Sequence, residues 1–248
     1  MDLNNLRKDE INDKLTLYQI KDGLLFGTDA LLLADFVCVE SMGAYKSGIE
    51  FGTGTGVISL LLAAREKIRS IYALEIQEIY AELASYNVRE NNFCDNIKII
   101  HADLKDCDNL YCGEERILPH SADVIFTNPP YIKYTPEIGT SGMLSPHDYK
   151  NIAKREITCD VFDVLKSAAR LIKNGGDFYI VYRPDRLQSL FAAMTEYNIT
   201  PKKAKFVFAR RYEFPCSSPK HLAHLASLVL IKGRQGAGEG LIVENMFL

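Results

Sequence analysis

"GIEFGTGTGVISLLLAAR", residues 48–65, decides how the rest of the chain is read. Residues 48–51 can sit inside a sheet. They run into a turn with glycine at every second position, Gly52, Gly54 and Gly56, and then into an apolar helical stretch from Val57. Glycines in such a turn let the backbone reverse tightly and let a ligand reach main-chain atoms that a Cβ would screen. A dinucleotide-binding turn wants its third glycine at position 57, where this chain has Val57, so a pyrophosphate ligand and nicotinamide oxidoreduction are disfavoured. The turn alone is equally compatible with a strand-to-helix corner that holds nothing.

Outward from this turn the pattern alternates. Short apolar strands are predicted at 48–51, 71–76, 97–100, 123–126, 177–182, 203–210 and 225–232. Helices are predicted at 56–67, 77–91, in a short piece of 104–118, and at 150–173, the last with Asn174-Gly175-Gly176 as its stop. Upstream, residues 15–26 predict two short strands turning at Lys21-Asp22-Gly23, followed by a helix capped by Thr28 or Asp29. The expected fold is α/β: a Rossmann-like, doubly wound, seven-stranded sheet, mostly parallel, with an antiparallel C-terminal strand and a short N-terminal hairpin and helix in front. One domain spans 1–248, with the hairpin and helix in 1–45, the core in 46–234 and a tail in 235–248.

Composition narrows the setting. With 47% hydrophobic and 25% charged residues the chain can bury a large core. It has no apolar run of the ~18–20 residues that span a bilayer, and its N-terminus lacks the basic-then-apolar order of a secretion signal. A cytosolic protein that does not act at a membrane is expected. The cysteines, Cys38, Cys94, Cys107, Cys112, Cys159 and Cys216, form no C-x-x-C pair, which argues against a metal site or a disulfide framework. The net charge of −3 hides an asymmetry: residues 183–234 carry ten Lys and Arg against three Asp and Glu, +7, which leaves −10 elsewhere. Such a segment suits a polyanion only if another signal calls for phosphates.

Acidic residues fall at successive strand ends. Glu50 precedes the glycine turn. Glu75, 25 residues on, can accept both hydroxyls of a ribose, and Asp103, after the third strand, can accept an adenine's exocyclic amine. The fourth strand ends in Asn128-Pro129-Pro130-Tyr131.

With that motif the chain resembles the class I methyltransferases that use S-adenosylmethionine, in the branch that methylates amino groups. The resemblance implies a cofactor site of Glu50, Gly52, Thr53, Gly54, Gly56, Glu75, Ile76, Ala102, Asp103 and Asn128, with S-adenosylhomocysteine as product. It implies a catalytic role for Asn128, Pro129, Pro130 and Tyr131. An exocyclic amine is a poor nucleophile because its lone pair is delocalised. If the Asn128 side-chain oxygen and the Pro129 carbonyl accept its two hydrogens, the nitrogen can pyramidalise toward the sulfonium methyl while Tyr131 stacks on the flat acceptor.

Residues 17–36, "LYQIKDGLLFGTDALLLADF", and 154–187 are similar to the bacterial tRNA(Val) adenine-N6 methyltransferases, and the tail looks like theirs as well. That likeness implies a tRNA substrate and a flap of Phe26, Thr28 and Asp29 against the methionine end of the cofactor. It also gives Arg183, Arg186, Lys202, Lys203, Lys205, Arg210 and Arg211 a role toward RNA phosphates. Thr28 and Asp29 are equally good helix caps. Rivals are a protein-glutamine methyltransferase, for whose N-terminal helical domain the 49 residues before Glu50 are too few, an rRNA or DNA amino methyltransferase, and an inert cofactor-binding module. Monomer and homodimer are equally open.

Overall fold

A computed structural model describes residues 5–12, 14–21, 23, 25–129, 159–208 and 226–248. Strands β1 (Leu6–Asn12) and β2 (Leu15–Ile20) form an antiparallel hairpin, followed by helix α1 (Thr28–Glu40). Then come β3 (Tyr45–Phe51), α2 (Val57–Ala64), β4 (Ile68–Glu75), α3 (Glu78–Glu90) and β5 (Ile97–His101). A small ladder of β6 (Tyr111–Cys112) and β7 (Glu115–Arg116) precedes β8 (Ala122–Thr127). The chain closes with α4 (Val161–Leu171), β9 (Ile172–Tyr182), α5 (Leu187–Glu196), β10 (Ile199–Phe208), β11 (Leu228–Gln235) and β12 (Ile242–Phe247).

The described strands build an eight-stranded sheet in the order β12-β10-β11-β9-β8-β3-β4-β5, in which β11 alone runs antiparallel to its neighbours. Its central strands are buried on both faces, and successive side chains alternate between two cores. Val124, Phe126, Tyr179 and Val181 pack with α1 and α2 on one face; Ile125, Phe178, Ile180 and Tyr182 pack with α4 and α5 on the other. Helix α2 is apolar nearly all round because it is wedged among the sheet, α1 and the hairpin. Helix α4 turns a Val161, Val164, Leu165, Ala168, Leu171 stripe inward, and its start is fixed by the reciprocal Asp160 and Asp163 capping box.

The chain winds β3, β4, β5 toward one edge and returns to β8 on the other side of β3. A crevice therefore opens between the tips of β3 and β8, where doubly wound folds bind their ligands. The hairpin is tied beside it through α3. Asn87, wholly buried, accepts from Tyr18 N at 2.8 Å and donates to Tyr18 O and to Thr55 O, both at 2.9 Å, while Asn91 one turn on does the same for Thr16. Two asparagines thus stand in for a neighbouring strand and join β2 to the glycine turn.

Several expectations shift. The hairpin turns between Asn12 and Leu15, where the Asn12 side chain accepts from Lys14 N and Leu15 N, and not at Gly23. Helix α1 has Gly27 as its N-cap, so Thr28 and Asp29 are already helical. Residues 172–176 do not stop a helix; α4 ends at Leu171 and β9 runs through them, with Gly175 at φ +76°. Helix α5 and the eighth strand, β12, are additions to the expected elements. No helix among the described residues is long and apolar enough to cross a membrane.

Candidate active site

The floor of the crevice is the turn after β3. Gly52 and Gly54 have φ of +67° and +56°, values that side chains rarely adopt, and a Cβ at either would meet nothing within 4 Å. The backbone conformation requires these glycines and packing does not, and the space above them stays open. The turn is pinned by Thr53 N donating to Leu74 O and Gly56 N to Thr53 O, each at 2.9 Å.

Two carboxylates flank it in different ways. Glu75 is 6% exposed at the end of β4; it accepts from Gly54 N at 2.8 Å and from Gln77 N at 3.0 Å, so it clamps the glycine turn. Burial pushes its pKa up, against those backbone donors. Glu50 is 0% exposed, beneath the turn. One of its oxygens accepts the Ser59 hydroxyl and, at 2.7 Å, that of Thr53; the other, Oε1, has no partner among the described residues. Burial pushes the Glu50 pKa up to about 7. Asp103, after β5, is about one-third exposed and caps a short 3-10 turn by accepting from Lys105 N at 2.9 Å. Between these acids lie Ile76, whose carbonyl meets His101 Nε2 at 3.0 Å, and Ala102, whose N–H donates to Glu75 O at 3.0 Å.

The far wall is the tip of β8. Thr127 is buried, and its hydroxyl bonds Phe51 O at 3.0 Å, locking the tips of β8 and β3 together. Asn128 follows, half-buried, and Pro129 is buried. The Asn128 Nδ2 donates to Asp29 Oδ2 at 3.0 Å. This contact joins residues 99 apart in the chain. The loop before α1 is held in turn by Gln19, wholly buried in β2, whose Oε1 accepts from Phe26 N at 3.0 Å and whose amide nitrogen donates to Asp9. Phe26 packs half-buried against the core, and Thr28 is exposed beside it. The structure thus brings Phe26, Asp29, Asn128, the glycine turn and Glu75 to one end of the sheet. Pro130, Tyr131, Arg210 and Arg211 lie outside the described residues.

Sequence reasoning passes over Gln19, Ser59 and Asn87. For Gln19 a signal exists: in "LTLYQI" it continues the inward series of Leu15 and Leu17, and a polar side chain on an inward register needs partners.

The basic segment is less free than its charge suggests. Arg183 pairs with Asp185 at 3.0 Å, and Arg186 lies 5.7 Å from the Tyr182 ring centroid. Lys202 donates to Gly238 O and Glu239 O, Lys203 bridges Glu40 and Glu244, and Lys205 reaches Glu244 at 3.3 Å. Strand β12 and α1 therefore absorb much of the positive charge of β10.

The chain matches the family model described as "Methyltransferase small domain" over residues 22–137. It is 30% identical over 209 residues to the tRNA1(Val) (adenine(37)-N6)-methyltransferase of Phocaeicola vulgatus, covering 84% of this chain and 79% of that protein. The chain belongs to the tRNA1(Val) (adenine(37)-N6)-methyltransferase family. A Dyadobacter fermentans protein of the same name is 31% identical over 69% of this chain, and the chain spans 64% of that relative's length. Among solved structures, TYW2 of M. jannaschii in complex with AdoMet superposes with a TM-score of 0.58 at 12% identity, covering 93% of this chain and 87% of that one. An SAM-dependent O-methyltransferase of Thermotoga maritima gives 0.54 at 16% identity, over 88% and 68% of the two chains. At these identities the likeness is one of fold. The family model takes in α1, the glycine turn and Asn128, the parts that meet at the crevice.

Proposed function

We propose that the chain transfers a methyl group from S-adenosylmethionine to the exocyclic N6 amine of an adenosine in tRNA, the adenosine 37 of valine tRNA that its relatives' name specifies. The observation that carries this reading is the Asn128 amide, whose NH2 end is turned to Asp29, which leaves its Oδ1 as the end that can accept from an amine in the crevice. What supports the cofactor reading is open space over Gly52 and Gly54 and the carboxylates at the neighbouring strand ends: Glu75 would take the ribose hydroxyls, Asp103 one strand further the adenine amine, and Ile76 and Ala102 would flank its ring. Glu50 supports the turn from below, and the loop carrying Phe26 and Thr28 would lie over the methionine end.

S-adenosylmethionine supplies a sulfonium methyl: the amine lone pair takes the methyl carbon, the C–S bond electrons return to sulfur, and the amine proton leaves to water. No strong base is needed before attack, because the nitrogen becomes acidic only as the methyl arrives. The chain contributes alignment. Asn128 Oδ1 and the Pro129 carbonyl would take the two N–H groups and turn the lone pair out of the ring plane. A tRNA substrate would place this work in the cytoplasm, with Arg183 and Arg186 near the tip of β9 as the first cations to test against RNA phosphates. The experiment is transfer of labelled methyl to unmodified tRNA, release-factor peptide and duplex DNA in parallel, followed by digestion. N6-methyladenosine in the tRNA is expected. Label in another acceptor but none in tRNA overturns the reading.

A further inference from the structure

The first turn of α1 contains a carboxylate that does more than serve the helix start. Gly27 is the N-cap and supplies no side chain. Asp29 accepts from the first-turn Ala30 N at 3.0 Å with Oδ1 and turns Oδ2 to Asn128 Nδ2, also at 3.0 Å. We propose that Asp29 is a positioning residue, whose carboxylate holds the Asn128 amide in the one orientation that presents oxygen to the acceptor amine. This rests on the methyl-transfer reading above.

The two ends of a side-chain amide are nearly equal in shape and opposite in function. A half-turn about the last torsion would place NH2 groups where the acceptor amine also brings N–H, and the site would then repel its substrate's hydrogens. A carboxylate only accepts, so it can bind only the NH2 end. Its charge also draws the amide dipole the useful way, enriching Oδ1.

The approach to Asp29 is built to the same end. Gln19 fixes Phe26 N, which sets the chain entering α1. At position 27 a Cβ would lie 2.5 Å from Asp29 Oδ1, so the inward carboxylate occupies space that any other residue there would claim. Glycine is needed at 27 for close approach, since its φ of −107° is open to every residue.

The test compares Asp29→Ala, Asp29→Asn and Gly27→Ala, each alone and with Asn128→Ala. Steady-state rates are combined with calorimetric binding of S-adenosylhomocysteine and with 15N spectra in which the Asn128 side-chain NH2 pair is identified by its loss in Asn128→Ala. Asp29→Ala should lower kcat by about tenfold to a hundredfold, as loss of an orienting partner does elsewhere, with little change in either KM. Asp29→Asn, which keeps an acceptor oxygen, should recover most of the rate. Gly27→Ala should resemble Asp29→Ala although the carboxylate remains. Neither should cost anything further once Asn128 is Ala. The Asn128 NH2 pair should shift in Asp29→Ala.

Unchanged kcat with weakened S-adenosylhomocysteine binding would make Asp29 a cofactor ligand and overturn the proposal. So would Asp29→Asn no better than Asp29→Ala, losses that multiply in the Asn128→Ala background, or an NH2 pair that does not move. The spectrum stands whether or not any acceptor is methylated, so failure of the methyl-transfer reading is seen separately, in an inactive wild type.

Discussion

The two tips that frame the crevice are built in opposite ways. At the tip of β3 the contacts of the two carboxylates that shape the glycine turn are local: Glu50 meets Thr53 and Ser59 three and nine residues on, and Gly54 meets Glu75 across one strand-helix-strand unit. At the tip of β8 the decisive contact, Asp29 to Asn128, spans 99 residues and joins the first helix to the fourth strand of the doubly wound core. The first tip forms wherever one supersecondary unit forms, whereas the second exists only when the whole sheet has closed. A binding floor made locally and an aligning wall made globally should respond differently to substitution.

The largest separation is expected from Asn128→Ala. It should lower kcat by about 10²–10³, the usual cost of a lost transition-state hydrogen-bonding group, while calorimetric affinity for S-adenosylhomocysteine stays as in the wild type. Equal loss of both would merge the two tips into one structural unit. The counterpart on the floor is Glu75→Ala. Loss of charge-assisted hydrogen bonds worth about 1.5–3 kcal/mol should raise the cofactor Kd by roughly tenfold to a hundredfold and leave kcat at saturation largely intact. A fall in kcat at unchanged Kd would remove Glu75 from the cofactor site.

Asn87→Ala probes the join between the regions, since this side chain binds both Tyr18 and Thr55. Leaving those buried backbone groups unsatisfied should cost about 1–3 kcal/mol in urea unfolding. An unchanged midpoint would show that the hairpin and the turn hold independently.

The same contrast explains what could be read in the residues alone. The glycine turn, the spacing from Glu50 to Glu75, and the strands that alternate between two cores are legible because period and spacing within one unit encode them. The Asp29 to Asn128 contact is not, because no local pattern says which face of α1 meets which strand tip. The hairpin register misleads for another reason. The exposed β1 reads "LRKDEIN", almost all polar, and so hides a strand, while Gly23 looks like the turn that Asn12 makes. Asn174-Gly175-Gly176 resembles a helix stop, yet the positive φ of Gly175 falls within β9, beside a register shift in its pairing with β8. Strand β12 escapes because it is an edge with little inward face to set a pattern.

The smallest expected effect concerns the floor's own foundation. Glu50 is enclosed with one oxygen unpartnered among the described residues, and burial raises its pKa from the ordinary 4.5 to about 7. Between those values the folded chain keeps the proton that the unfolded chain has released, so this group's contribution to stability is full below about pH 4.5 and is lost as pH rises through 7. Glu50→Gln carries no proton to lose. The melting temperature of Glu50→Gln minus that of the wild type should therefore rise from pH 5 to pH 7.5 and level off above. The change should be about 4–8 °C, since a shift of this size is worth about 2 kcal/mol over that range and about 1 kcal/mol moves a chain of this size by roughly 2–4 °C. Other titrating groups cancel in the difference. A difference that stays flat would mean Glu50 is ionised in the folded state throughout, stabilised by the Thr53 and Ser59 hydroxyls alone, and that the turn rests on a charge.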